Sequence, residues 1–239
     1  STGESPRRES KIIQSMLDRK VDGLIIASSG QNKKEILNLK KNNYPFVLVD
    51  RKYSEIETNY VGLDSISGVA LAVERLINNG RKRIGFVSLT LELETIRDRE
   101  KGYFNTMKKH DLEVNDDFLQ KVTLEDLPHG INKAIAKLTN DQNRVDGIVF
   151  ATQYLTVDGL RALRRLNIKT PEQVAIFSYG YKTDFDLFHP AISAVSLPIK
   201  EMGDAAVDIL LDNLEDNLTG YKNMEMETKM IINGSCGSV

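Results

Sequence analysis

One nine-residue pattern occurs twice in this chain. K-V-D-G-L-I-I-A-S at residues 20–28 returns as R-V-D-G-I-V-F-A-T at residues 144–152. Each copy is a short apolar run that ends in a small polar residue, which is typical of a strand buried on both faces of a parallel sheet. The copies lie too far apart for a solenoid repeat of roughly 20–50 residues. They predict two lobes of similar topology, each with its own parallel sheet.

Strand-like runs and helical stripes alternate along the rest of the chain. Further apolar runs occupy residues 45–50, 83–89, 174–179 and 194–198. Stripes at helical spacing lie between them, one of them within residues 69–77 and followed by Gly80. A glycine at that point predicts a left-handed residue just after a helix. The alternation predicts an α/β fold in which helices flank parallel sheets.

The composition excludes several classes of protein. A net charge of −2 lacks the basic excess of a nucleic-acid-binding domain, and short basic runs such as Arg164-Arg165 are typical of solvated helix ends. The single cysteine, Cys236, excludes an intramolecular disulfide and suits a reducing compartment. The sequence has no membrane-length apolar segment and no opening signal peptide. We therefore expect a cytoplasmic protein.

The sequence contains no recognisable catalytic, cofactor or metal motif. The glycine-rich dinucleotide motif, the P-loop and the nucleophile elbow are absent, and the three histidines lack metal-ligand spacing. Asp184 and Asp186 flank Phe185 and suggest either a metal site or, more simply, a solvated turn. We predict no cofactor, no metal and no enzymatic activity.

Polar residues at the predicted strand ends are the remaining candidates for function. Ligands of parallel α/β sheets bind outside the carboxyl ends of the strands, so two lobes would place two sets of strand ends around one cleft. Taken singly, Asp50 could be a solvated strand end and Arg99 an exposed charge on a helix. Their common location favours binding. The predicted ligand-binding residues are Ser28, Asp50, Arg99, Thr152, Gln153, Tyr154, Gly180 and Tyr181.

The order of the segments resembles a known family. The matching segments, in chain order, are V-D-G-L-I (21–25), Y-P-F-V-L-V-D-R (44–51), R-D-R-E-K-G-Y (97–103), P-E-Q-V-A-I-F-S-Y-G (171–180) and I-S-A-V-S-L-P (192–198). Together they are similar to the effector-binding core of LacI-type bacterial transcription regulators, which has the type I periplasmic-binding-protein fold. The resemblance covers most of the chain.

The resemblance implies two lobes with a ligand cleft between them. The amino-terminal lobe would comprise residues 1–62 and 194–220, and the carboxyl-terminal lobe residues 63–193 and 221–239. The first strand and helix of the amino-terminal lobe would be absent, which would leave backbone groups unpaired and apolar faces exposed. The lobe would then be incomplete or rearranged, and pairing with a partner chain is one such rearrangement. DNA binding would belong to a helix-turn-helix outside this chain, and the full protein would form a homodimer.

The resemblance also suggests the class of effector. Sugar-binding members place an aspartate where this chain has Gly180, and an Asn-Asp pair where it has Thr152-Gln153, whereas Arg99 is retained. An arginine suits carboxylate or phosphate. We therefore expect an acidic or phosphorylated sugar derivative anchored by Arg99, with Tyr154, Tyr179 or Tyr181 as apolar walls. A bulkier ligand or a partner protein would also fit a glycine at position 180.

These observations predict the effector-sensing domain of a LacI-type transcriptional repressor. The alternative from a different class is the solute-binding protein of a transporter with the same fold. An enzyme on an α/β scaffold is the third possibility, although no activated nucleophile or cofactor motif supports it.

Overall fold

The structure of the protein is a computed structural model that describes residues 5–181, 183–215 and 220–237. In chain order the helices are α1 (Pro6–Asp18), α2 (Lys33–Lys41), α3 (Ser65–Asn78), α4 (Glu94–Lys109), α5 (Leu127–Thr139), α6 (Gln153–Arg165) and α7 (Ile199–Leu214). The strands are β1 (Leu24–Ile26), β2 (Phe46–Val49), β3 (Asn59–Leu63), β4 (Ile84–Leu89), β5 (Leu119–Val122), β6 (Gly147–Phe150), β7 (Ala175–Tyr179), β8 (Ser193–Ser196), β9 (Asn223–Met226) and β10 (Lys229–Ile231). Short 3₁₀ turns follow at Asp116–Phe118, Thr183–Leu187 and Gly234–Cys236.

The chain divides into two compact units, which confirms the α/β class with two parallel sheets. Among the described residues the first unit holds 5–64, 93–95, 198–215 and 220–226, and the second holds the remainder. Apart from the short segment 93–95, the chain passes between units after residues 64, 197 and 226, a few residues later than predicted. The difference arises because β8 pairs with β7 in the second unit, and β9 pairs with β3 in the first.

The sheet of the first unit has the order β1-β2-β3-β9, and all its strand pairs are parallel. One core cluster joins Ile26, Leu48 and Tyr60 of the strands to Ile13 of α1 and Ile36 of α2. α7 packs on the same sheet through Met202, Ala206 and Ile209. β1 is an edge strand, and its Ile25 is 46% exposed.

The sheet of the second unit has the order β10-β8-β7-β6-β4-β5. Every residue of β4, β6 and β7 is buried, as the continuous apolar runs predicted. β10 is antiparallel to β8, whereas the other pairs are parallel. α3 and α4 cover this sheet in part through Val69 and Tyr103, and the Tyr103 ring stacks on Phe86 at 5.1 Å. In the part of the chain that the structure describes, no helix is long and apolar enough to cross a membrane.

The repeated V-D-G pattern adopts one local conformation twice. Lys20 and Arg144, which precede the two copies, both have positive φ, 55° and 37°. The carboxylate of Asp146 then accepts hydrogen bonds from the backbone amides of Lys82 and Arg83 at 3.0 Å. Asp22, its counterpart, is exposed. The turn is therefore shared, but only the second copy uses its aspartate to tie the start of β6 to the start of β4.

Replacing the two aspartates should separate these roles. Asp146→Ala leaves two backbone amides without their acceptor, so we expect it to lower the free energy of unfolding by about 1–2 kcal/mol. Asp22→Ala should change it by less than about 0.5 kcal/mol. Urea denaturation of both variants measures the difference, and equal effects would show that the Asp146 hydrogen bonds do not stabilise the fold.

Gly80 and Gly203 provide a second pair of substitutions, with opposite expected effects on stability. Gly80 follows α3 with φ of 86°, which confirms the prediction, whereas Gly203 is an exposed interior position of α7; neither has an atom within 4 Å of an added Cβ. Gly80→Ala should destabilise the protein by about 1 kcal/mol through backbone strain. Gly203→Ala should stabilise it by about 0.5–1 kcal/mol through helix propensity. Thermal unfolding checks both signs, and the same sign for both would contradict the explanation.

Candidate ligand-binding site

Arg99 is a buried cation at the centre of the candidate site. It lies on α4 and is 9% exposed, so the alternative of an exposed helix charge is wrong. Its Nη1 donates a hydrogen bond to the carbonyl oxygen of Ala151 at 3.1 Å, just beyond β6. The guanidinium also lies 4.2 Å from the ring centroid of Tyr179, at the end of β7. The packing therefore holds Arg99 at the carboxyl ends of two neighbouring strands.

Three buried polar atoms around α4 and β4 lack a hydrogen-bond partner among the described residues. They are Nε of Arg99, Oγ of Ser88 and Oε1 of Glu100. Oε2 of Glu100, in contrast, accepts a hydrogen bond from Nζ of Lys121 at 2.8 Å. Buried polar atoms are almost always paired in native proteins, so atoms such as these require an explanation.

Thr152, Gln153 and Gly180 lie together at the start of α6. Thr152 caps the helix, and its hydroxyl accepts from the amide of Leu155 at 3.4 Å. Gly180 follows β7, and its amide donates to the carbonyl oxygen of Val195 at 3.0 Å. A Cβ on Gly180 would lie 3.8 Å from Cβ of Gln153, so these two predicted residues are neighbours. The amide nitrogen of Gln153 would lie 3.9 Å from the same Cβ, and amides in the first turn of a helix have no backbone acceptor within that helix.

The backbone gives a reason for Gly180 that the sequence did not reveal. Its φ is 92°, a conformation that side-chain-bearing residues rarely adopt, whereas the space around it would accept a Cβ at ordinary contact distance. The glycine is therefore required by the chain conformation, whatever ligand the site takes.

The three tyrosines occupy different environments. Tyr179 is buried, stacks on Arg99, and shares a hydrogen bond of 3.1 Å with Ser65. Tyr154 is 63% exposed. Tyr181 packs edge-on against Phe185, and its hydroxyl donates to Asp186, an interaction that raises the pKa of Tyr181. Tyr179 is thus the tyrosine that the structure brings to Arg99, and Asp186 is held in a turn by Tyr181.

In the first unit, Ser28 belongs to a buried polar cluster at the end of β1. Its hydroxyl donates to Oε1 of Glu9 at 2.8 Å, and the amide of Ser29 donates to Oε2 at the same distance. Since the proton of Ser28 is used in this way, the hydroxyl of Tyr53, 2.8 Å away, must be the donor to Ser28. Burial raises the pKa of Tyr53.

Sequence reasoning missed Glu9 and Tyr53. Glu9 is 3% exposed and lies one helical turn before Ile13, on the buried face of α1. An acidic residue in line with an apolar stripe was the available signal, because helical residues four apart share a face. Tyr53 lies between β2 and β3, where no periodic pattern marked it.

The side chain of Arg51 connects Asp50 to the backbone of Ser28. Asp50 has φ of 68°, and its carboxylate is 3.6 Å from Nε of Arg51. Nη1 of Arg51 donates to the carbonyl oxygen of Ser28 at 3.0 Å. The structure therefore brings the predicted residues together in two groups, one at the strand ends of each unit.

The side chains and amides gathered in the second unit are suited to binding a ligand through hydrogen bonds. Arg99 and the amides at the start of α6 are donors fit for an anion or for hydroxyl groups. Within residues 5–181, 183–215 and 220–237, no group of three or more His, Cys, Asp or Glu side chains is placed to hold a metal ion.

The chain is similar to known regulators over most of its length. It is 29% identical over 233 residues to a probable HTH-type transcriptional regulator EndR of Paenibacillus polymyxa, covering 96% of the chain and 67% of the relative. It is 22% identical to the HTH-type transcriptional repressor PurR of Aliivibrio salmonicida, covering 94% and 67%. The chain thus spans about two thirds of these relatives.

A solved structure shows the same fold. A putative ribose operon repressor from Burkholderia thailandensis superposes with a TM-score of 0.85 at 25% identity, covering 96% of the chain and 84% of that structure. The family model of the periplasmic binding protein-like domain matches residues 73–236. The chain therefore belongs to the periplasmic binding protein-like domain family, as the effector-binding core of a LacI-type transcription regulator.

Proposed function

We propose that this chain senses a small anionic metabolite, a sugar acid or a sugar phosphate, and thereby controls DNA binding by a helix-turn-helix outside it. The effector binds at the carboxyl ends of the strands of the second unit, with Arg99 as its anchor. The full protein acts in the cytoplasm as a homodimer and as a repressor, and it binds its effector without converting it.

The buried guanidinium of Arg99 is the observation that supports this proposal most strongly. Removing a charged group from water is costly unless it is paired and hydrogen-bonded. The described contacts of Arg99 are a neutral carbonyl and an aromatic ring, and its Nε has no partner. A carboxylate or phosphate can accept two parallel hydrogen bonds from a guanidinium and supplies the missing charge.

The start of α6 supports the same ligand class. The amino-terminal end of a helix carries about half a positive charge and unpaired amides, which favour a negatively charged group. Thr152 and Gln153 offer a hydroxyl and an amide beside it, and both replace the acidic or amide pair expected of a neutral-sugar site. Gly180, next to Gln153, supplies the positive φ of 92° that the chain has at this point.

The roles of the other predicted residues remain proposals. Ser28 and Asp50 remain candidate ligand contacts at the strand ends of the first unit, where Oγ of the buried Ser29 is also without a partner among the described residues. Tyr154, exposed at the first turn of α6, and Tyr181 remain candidate apolar walls. Regulation would follow if the effector bound one conformation better than another, because the population then shifts by the difference in affinity.

The transporter alternative is not favoured. The matched relatives are named as transcriptional regulators, and they align with nearly the whole chain. A regulator responds to the same kind of small solute as a transport protein of this fold, so the two functions differ in what the binding domain is attached to.

A ligand screen on the full-length protein tests the proposal. Sugar acids, sugar phosphates and the matching neutral sugars are compared by thermal shift, where a ligand at 100 times its Kd stabilises by about 2.7 kcal/mol. Arg99→Ala should weaken an anionic hit by about 10- to 100-fold, since hydrogen bonds to charged groups contribute about 1.5–3 kcal/mol. The Kd of Arg99→Lys for the same ligand should lie between those of the wild type and Arg99→Ala, because lysine keeps the charge and loses the planar fork.

Arg97→Ala is the matched control. Arg97 lies on α4 two residues away, and its exposed side chain pairs only weakly with Glu92 at 3.5 Å. Its removal should leave the Kd unchanged. Each Kd is fitted against the stability of that variant without ligand, so that a loss of folding is not mistaken for a loss of binding. A neutral sugar that binds equally well to wild type and Arg99→Ala would overturn the proposal.

A further inference from the structure

A groove in the second unit lies apart from the residues assigned above. It has a volume of about 730 Å³ and is formed by the last turns of α6, residues 167–172 and residues 187–192. Binding sites for small molecules commonly occupy volumes of about 300–1,000 Å³. None of the predicted ligand-binding residues lines it.

The floor of the groove is apolar. Leu163 and Ile192 are each 1% exposed and belong to the core. Phe188 stands on one side, held edge-on against Phe185 at 6.3 Å. Leu187, next to it, is 78% exposed, an unusual position for a leucine that borders a cavity. The groove therefore offers apolar surface to the body of a ligand.

The rim of the groove is basic. Arg161, Arg164 and Lys169 line it, against a single acid, Glu172. Arg161 is paired with Asp158 at 2.8 Å. For the side chains of Arg164 and Lys169, no ion pair or hydrogen bond occurs with any residue of the described ranges. Both residues of the Arg164-Arg165 pair are exposed, as the sequence predicted for a solvated helix end, but they differ in their contacts. Arg165 donates a hydrogen bond to Oδ1 of Asn132 at 3.1 Å.

We propose that this groove is a second ligand site, which takes an organic anion with an apolar body. The carboxylate, phosphate or sulfonate lies between Arg164 and Lys169, and the body lies over Leu163, Phe188 and Ile192. The two unpaired cations and the apolar floor match such a molecule in both charge and polarity. The proposal does not depend on the effector site, because it uses none of the same residues.

Fluorescence of a bound probe tests this in the full-length protein. The probe is 8-anilinonaphthalene-1-sulfonate, and N-phenyl-1-naphthylamine is the control that has the rings without the anion. Arg164→Ala combined with Lys169→Ala should weaken binding of the sulfonate by about tenfold and leave the neutral probe unaffected. Glu172→Gln should strengthen binding of the sulfonate by about two- to fivefold, since it removes the one acid from the rim. These substitutions are on exposed side chains, so the fold should remain intact.

Arg165→Ala is the matched control, because it removes a neighbouring cation that does not line the groove. It should leave the Kd of the sulfonate unchanged, as should Arg99→Ala, which separates this site from the effector site. Octanoate and phenyl phosphate, added as competitors, distinguish a carboxylate from a phosphate ligand. The proposal is wrong if the double variant binds the sulfonate as well as wild type does. It is equally wrong if the wild type does not bind the sulfonate, or if Arg99→Ala removes that binding, which would assign the probe to the effector site.

Discussion

Parallel pairing is the constraint on which the rest of this structure depends. Two parallel neighbours cannot be joined by a tight turn, so most of the connections between them include a helix that crosses back over the sheet, whereas β2 and β3 are joined by the loop at residues 50–58. The carboxyl ends of parallel neighbours lie at the same edge of their sheet, so the polar residues after β6 and β7 meet there although no local motif marks them. The same constraint in the first unit brings Ser28, after β1, within reach of Arg51, after β2. The predicted ligand-binding residues of each unit thereby gather near the carboxyl ends of its parallel strands.

Arg99 is a buried cation of the second unit whose removal from water has to be offset by its surroundings. A buried cation is tolerated where dipoles and aromatic faces surround it, and Ala151 and Tyr179 supply one of each. The position of Arg99 also depends on α4 being fixed to the sheet, which the stacked rings of Tyr103 and Phe86 achieve. The Tyr103 hydroxyl is buried and donates to the carbonyl oxygen of Ile84 at 2.8 Å, and this burial raises the pKa of Tyr103. Stability and ligand recognition are thus coupled through one helix.

Much of the fold could be predicted from the sequence, because β4, β6 and β7 are continuous apolar runs and several helices have clear stripes. β5 and β9 could not, since L-Q-K-V and N-M-E-M lie at or near sheet edges where polar residues are tolerated. The antiparallel β10 has no local signal, because direction is set by the path of the chain. For the candidate site, Arg99 was identified, but its burial was not, since an acid–base-rich helix hides which face packs inward. Glu9 and Tyr53 were missed because their partners lie about 20 residues away and meet them only in the folded state.

The turns that return the chain to the sheets have a consequence of another kind. Positive φ occurs after α1 at Lys20, after α2 at Asn43, after α4 at Asp111, after α5 at Arg144 and after α6 at Asn167. These positions carry side chains, although a left-handed conformation costs such residues roughly 1 kcal/mol more than glycine. All of them precede the amino ends of strands, on the edge away from the polar residues discussed above. Thermal stability could therefore be raised at Lys20, Asn43, Asp111 and Arg144 without altering the predicted ligand-binding residues, whereas Asn167 also lines the groove of the second unit.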